Sequence, residues 1–176
     1  MTTLKRLFAR LRLQVNEAKS TVARVWERKF LGYSFWVAKG RVIRPRVAPA
    51  ALAEMKARVR DITCRTGGRS LEAVAAELRS YLTGWKLYFQ LAETPRIFSD
   101  LDEWLRRRIR AVQLKQWKRG TTTYRALRAR GLSVTAAREG AAHVHRWWAA
   151  ANHPAFSAAL PNSYLDRLGV PRLAGR

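Results

Sequence analysis

Asp100, Asp102 and Glu103 sit close together, and neighbouring carboxylates are the usual holders of a hard divalent cation. They also fall in the first turns of a helical pattern, where acids complement the positive end of the helix dipole, and this accounts for them without a metal. His143, His145 and His153 raise the question of zinc. The single residue between the first two puts them on different faces of a helix, and only the remote Cys64 adds sulfur. Arg60 and Arg65 near Cys64 favour a thiolate, but no nucleophile motif surrounds it, and it reads as a structural or incidental cysteine. Gly67-Gly68-Arg69-Ser70 precedes a helix start, where free N–H groups cradle phosphate, and a plain turn fits as well. What remains is charge. The run Asp102 to Arg119, DEWLRRRIRAVQLKQWKR, holds seven Lys or Arg and two Trp in eighteen residues. Cations interleaved with indoles suit phosphate contact combined with base stacking. The competing reading is a solvated helix face whose tryptophans pack on neighbouring helices.

Composition bears on that choice. Of 176 residues, 35 are Lys or Arg against 12 Asp or Glu, a net charge of +23. Such an imbalance repels itself in a compact state, and a polyanion relieves it. Nucleic acid is the leading candidate, because neutralising phosphates releases counterions; an anionic membrane is the weaker one. Hydrophobic content of 48% supports a real core. One cysteine allows no internal disulfide and fits a reducing compartment. No apolar run approaches the length of a membrane span. The basic, amphipathic N-terminus lacks the apolar block of a secretory signal; it resembles a mitochondrial presequence but reads better as a structural helix.

The elements that must position these residues follow from periodicity. Leu4, Leu7, Phe8 and Leu11 predict a helix over the first dozen residues, and LQVNEAKSTVARV after it reads as extended or turn-like. Leu31, Tyr33, Phe35 and Val37 alternate with Gly32, Ser34, Trp36 and Ala38, Lys39-Gly40 breaks the run, and Val42 to Val47 resumes it: a β-hairpin, its second strand marked by Pro45 as an edge or as ending early. From Pro49 the pattern is helical. Leu52, Met55, Val59 and Ile62 form one stripe, ended by Gly67-Gly68. Ser70 caps a second helix, with Leu71, Val74, Leu78, Leu82, Trp85 and Phe89 inward; Trp85, Tyr88 and Phe89 are the expected core anchors. Thr94-Pro95 opens a third, closed by Gly120. On it Phe98, Leu101, Leu105, Ile109 and Val112 share a sector of roughly 80°, and the cations are expected outside that seam as one positive ridge. Two shorter helices are expected over Tyr124 to Arg130 and Val134 to Ala151, then a tail punctuated by prolines. The fold class is mainly α, with a short helix and a β-hairpin in front of a helical bundle.

RSLEAVAAELRSYLTGWKLYFQ and IFSDLDEWLRRRIRAVQLKQWKR resemble the maturase-specific region, or thumb, of group II intron-encoded reverse transcriptases. Gly84, Trp85, Tyr88 and Phe89 match the first block of that pattern, and Leu101, Asp102, Trp104, Arg106, Arg107, Arg108, Gln116, Trp117 and Lys118 the second. LQVNEAKSTV and FLGYSF resemble the end of the polymerase palm, and ALPNSYLDRLGVPRL the C-terminal end of some bacterial members. The resemblance implies that residues 1–47 are a palm remnant and 48–176 a helical maturase-specific domain. It implies RNA binding that stabilises folded intron RNA during splicing, in a bacterial cytoplasm. The family's Tyr-Ala-Asp-Asp block is absent from these residues, so no polymerase activity is expected of the chain alone, and no cofactor: magnesium would belong to the bound RNA or to a palm held elsewhere. The implied contacts are Arg106, Arg107, Arg108, Arg110, Lys115, Trp117, Lys118 and Arg119, with Arg65 and Arg69 behind them. The implied partners are group II intron RNA, an RNA/DNA template–primer duplex, and a separate polypeptide carrying fingers and palm. The alternatives are the thumb of a split reverse transcriptase and a degenerate, general nucleic-acid binder.

Overall fold

A computed structural model describes residues 2–14, 16, 23–64 and 67–175. Arg65 lies outside them, as does most of the segment expected to run extended after the first helix. Helix α1 (Thr2–Arg10) leaves Leu7, and Leu11 and Leu13 beyond it, exposed. A three-residue 3-10 turn, Val25–Glu27, leads into an antiparallel sheet of β1 (Lys29–Phe30), β2 (Tyr33–Val37) and β3 (Ile43–Val47), in that order. Pro45 does lie on an edge strand, opposite Phe35. The hairpin therefore has a third strand that alternation over Leu31–Val37 did not reveal. Leu31 is not in a strand but in the β1–β2 turn with Gly32, at φ +48° and +75°. Paired positive φ angles match the right-handed twist of a tight hairpin. Gly32 has a second reason to be glycine: a Cβ there would come 3.1 Å from the Phe89 ring.

Helix α2 (Pro49–Ile62) follows, with proline in its first turn, and α3 (Leu71–Tyr88) is capped by Ser70, whose Oγ accepts from Ala73 N at 3.2 Å. Thr94 precedes α4 (Pro95–Trp117) without a side-chain cap. The remaining helices are α5 (Gly120–Ala129), α6 (Val134–Ala142), α7 (Trp147–Ala150), α8 (Pro154–Ala159) and α9 (Asn162–Arg167).

Gly120 opens α5 instead of closing α4. The earlier break comes at Lys118, at φ +58°, and a Cβ on Gly120 would crowd the Ala141 carbonyl at 3.3 Å. The helix expected over Val134 to Ala151 is split at His143–Arg146. In an unbroken helix Ala150 would sit roughly 110° from the Ala137–Gly140–Val144 stripe. The break rotates it inward, and Val144, Ala150 and Ala151 are all buried.

The core has two parts that share α4 as a spine. Its first half, through Leu101, Leu105, Ile109 and Val112, packs against α2, α3 and the tail residues Leu165, Val170 and Leu173. Its second half, through Ala111, Leu114 and Trp117, packs against Leu127, Val144, Phe156 and Leu160. Trp85 and Phe89 are buried as expected. Tyr88 is not: it lies on the surface against Tyr33, with its hydroxyl donating to Leu31 O at 2.9 Å, and so ties the sheet to α3. Among the described residues no helix is long and apolar enough to cross a membrane.

Candidate nucleic-acid interface

A helix with arginines at four of five consecutive positions cannot keep them all on one face. On α4 they divide three ways. Arg106 and Arg110, four apart, lean toward the C-terminal helices. Arg106 is only 6% exposed, and its Nη2 lies 3.1 Å from Asp166 Oδ1. Arg110 donates from Nε to Leu160 O at 3.0 Å and from Nη2 to Asn162 Oδ1 at 2.9 Å. Arg107 faces α7, donating twice to Trp148 O while its guanidinium stacks 4.0 Å from the Trp148 ring centre. Lys115, two turns on, sits 3.9 Å from the centre of Trp147. Arg108 turns the other way, donating to Thr63 Oγ1 at 2.7 Å and to Arg60 O at 3.4 Å, and sharing the Trp104 ring with Lys56 and Arg60.

The expectation of one ridge standing clear of the buried seam thus fails for Arg106, Arg107, Arg108 and Arg110. The reason is physical. With few acids on offer, guanidinium groups find the carbonyls left over at helix ends, which carry the negative end of the dipole. Leu160 O, Trp148 O and Arg60 O all belong to the last turn or cap of a helix. Arg79 does the same for α9, donating to Leu168 O at 2.8 Å and Gly169 O at 3.1 Å. Trp117 is likewise no stacking platform: it is 9% exposed, packed on Phe156 with Arg130 over it.

Lys118 and Arg119 do stand in solvent, and neither side chain has a partner among the described residues. The Gly67–Ser70 loop joins them, because Gln116 Nε2 donates to Arg69 O at 3.0 Å. Arg69 itself is paired with Glu77 at 2.6 Å and reaches Ala73 O. At the hairpin, Lys39 and Arg41 project from the turn, Arg44 pairs with Glu93 at 2.7 Å, and Arg46 donates to Ser34 Oγ at 3.1 Å.

Carbonyl-bound arginines keep their full charge. Among the described residues ion pairs engage only Glu77, Glu93 and Asp166 as acids, so the positive field survives. Burial, and secondarily the charge of Arg106, hold the Arg110 guanidinium below its ordinary pKa. The Asp166 carboxyl is held below its ordinary pKa chiefly by the hydrogen bond from Arg172, against the opposing effect of burial, with the charges of Arg106 and Arg172 adding.

The carboxylates weighed for metal binding have another use. Asp102 accepts from Leu173 N at 2.9 and 3.1 Å and from Ala174 N at 2.8 Å, clamping the tail to α4. His143 and His153 stack at 5.0 Å, and His153 Nδ1 caps α8. Among the described residues no three His, Cys, Asp or Glu side chains gather to hold a metal. Periodicity had no means of finding Asp102, Asp166 or the Trp147–Trp148 pair, since each acts across more than thirty residues of chain.

Residues 52–131, spanning α2 to α5, match the family model described as the group II intron maturase-specific domain. No curated protein matches the chain.

Proposed function

We propose that this chain, whose residues 52–131 are a group II intron maturase-specific domain of the reverse transcriptase/maturase family, binds folded intron RNA and assists its splicing. On this reading residues 1–47 are the end of a palm and 48–176 the maturase-specific thumb, working in a bacterial cytoplasm. The observation that carries the reading is the uncancelled charge: +23 overall, on a domain of this family, with Arg107, Arg108 and Arg110 of α4 tied to carbonyl, hydroxyl and amide oxygens and not to acids. Fixed guanidinium groups lose little further entropy when a phosphate arrives. They neutralise phosphates that RNA tertiary folding brings together, while the RNA performs the transesterification, with its own magnesium. Recognition rests on shape and backbone, because side chains cannot read an A-form major groove. Lys118, Arg119 and Arg69 supply one cationic corner; Arg106, Arg107, Arg108, Arg110 and Lys115 supply the field along α4, and Arg65 precedes Arg69 by four positions in sequence. Competition at physiological salt tests this: intron RNA is expected to displace the chain from random duplex RNA, and equal affinity for the two marks a general nucleic-acid binder instead.

A second reading, the thumb of a split reverse transcriptase, is favoured by one observation. Phe30, Leu31, Val42, Ile43, Leu87 and Leu91 lie exposed on the sheet and the end of α3, the apolar kind of surface a second polypeptide covers. Primer extension, absent for the chain alone, would then appear on adding a palm-bearing polypeptide that is itself inactive.

A further inference from the structure

Between α4 and the C-terminal helices lies a pocket of about 400 Å³ lined by Arg106, Arg110, Asn152, Ser157, Asn162 and Glu103, among others. Its chemistry is that of an anion site. Arg106 and Arg110 project from the same side of α4, one helical turn apart. Arg106 is 94% buried if its 6% exposure is subtracted from the whole, and its Nη1 has no hydrogen-bond partner among the described residues. A buried guanidinium N–H without an acceptor is expensive and rare. Its neighbour Nη2 is satisfied by Asp166, but that carboxylate is shared with Arg172, so two guanidinium groups divide one acid. Arg110 spends Nε and Nη2 on Leu160 O and Asn162, and no bond engages its Nη1 among the described residues. Two like charges held close in a half-buried pocket repel, and burial first, with the charge of Arg106 second, lowers the pKa of Arg110. An anion seated between them relieves the repulsion. Asn152, Ser157 and Asn162 offer amide and hydroxyl donors around the same space. The fork of arginine N–H groups matches the oxygens of phosphate. Glu103 at the lip opposes any anion and sets an upper limit on affinity.

We propose that this pocket is a phosphate-binding site, in which Arg106 and Arg110 flank one phosphate group, with Ser157 and the two asparagines as further donors. Resting on the RNA reading above, the phosphate it takes is a backbone phosphate of intron RNA; free phosphate shares the chemistry. The pocket would fix the register of the RNA against α4, since a phosphate contact positions without reading sequence.

The test uses the full chain at low salt and follows the Nε–H resonances of Arg106 and Arg110 by NMR. One titration uses inorganic phosphate and the other a short duplex RNA whose binding is read in parallel by fluorescence anisotropy. Saturable shifts with either titrant are expected. Ser157→Asp, an exposed position whose folding is checked by a thermal melt, is expected to weaken the phosphate response about tenfold, the worth of one charged hydrogen bond. Glu103→Gln is expected to strengthen it a few-fold. Resonances unmoved by both titrants, or equally moved in Ser157→Asp, overturn the pocket. RNA that binds by anisotropy without moving them overturns the pocket and leaves the RNA reading standing. Phosphate that moves them with no RNA binding keeps the site and overturns the RNA reading.

Discussion

Replacing Asp102 by alanine tests how the tail is held. The carboxylate is the acceptor for the backbone N–H groups of Leu173 and Ala174. Leu173 is only 3% exposed, so water cannot freely replace the lost partner. A charged hydrogen bond is worth about 1.5–3 kcal/mol when well shielded. This site is part-buried, and about 1 kcal/mol for each of two N–H groups is the reasonable figure. Asp102→Ala then costs about 2 kcal/mol, or a Tm lower by roughly 4–8 °C in a chain of this size. Asp102→Asn should cost under half as much, because an amide oxygen in the Oδ2 position still meets both donors. Circular dichroism melts give the values. The decisive control is a chain ending at Pro171, which lacks both N–H donors. In it Asp102→Ala should cost almost nothing, since the partners are gone. A loss within about 0.5 kcal/mol in the full chain, or an equal loss in both chains, would refute the clamp.

Asp166→Ala leaves Arg106 buried beside an empty place and should destabilise by about 2 kcal/mol in urea titration, and Arg106→Met on top should recover part of it; a further additive loss would contradict the pairing. The lowered pKa of Asp166 means that its contribution is full above about pH 4 and fades as pH falls toward the folded value, so Asp166→Asn should flatten the acid limb of stability against pH, and an unchanged limb would count against it. Removing both indoles that hold α7, Trp147→Ala with Trp148→Ala, should cost at least about 1 kcal/mol, from two cation–π contacts at about 0.5–1 kcal/mol each; no change in denaturant midpoint would show that Arg107 and Lys115 are not latched there. Lys118→Glu with Arg119→Glu should leave the Tm nearly unchanged while weakening RNA binding and reducing its salt slope by about one to two, and an intact slope would remove this corner from the interface.

Local chemistry was legible where it acts within an element. Ser70 caps as its type predicts, Pro45 lies on an edge, and the stripes of α2, α3 and α4 face the core. Short elements whose reason lies elsewhere were not. The strand Lys29–Phe30 is too brief to show alternation, and the break after Ala142 exists to bring Trp147 and Trp148 against α4 and Ala150 inward. Charge was legible as a total and misleading as a place. Winding α4 as an isolated cylinder put the arginines outside the seam, but a cylinder has no neighbours, and the neighbours here end in unsatisfied carbonyls that draw guanidinium groups. Tyr88 shows the same limit, since an aromatic residue next to two buried ones serves as a surface tie to Leu31 and Tyr33.

The most direct test is the affinity of the full chain for folded group II intron RNA as a function of salt. Binding by a field of fixed cations requires log K to fall linearly with log salt, by about 0.7–0.9 for each phosphate neutralised, with several phosphates engaged and intron RNA preferred at every salt concentration. An affinity that hardly changes between 50 and 200 mM salt (about fourfold in ionic strength), or one no higher for intron RNA than for random duplex, would contradict the account.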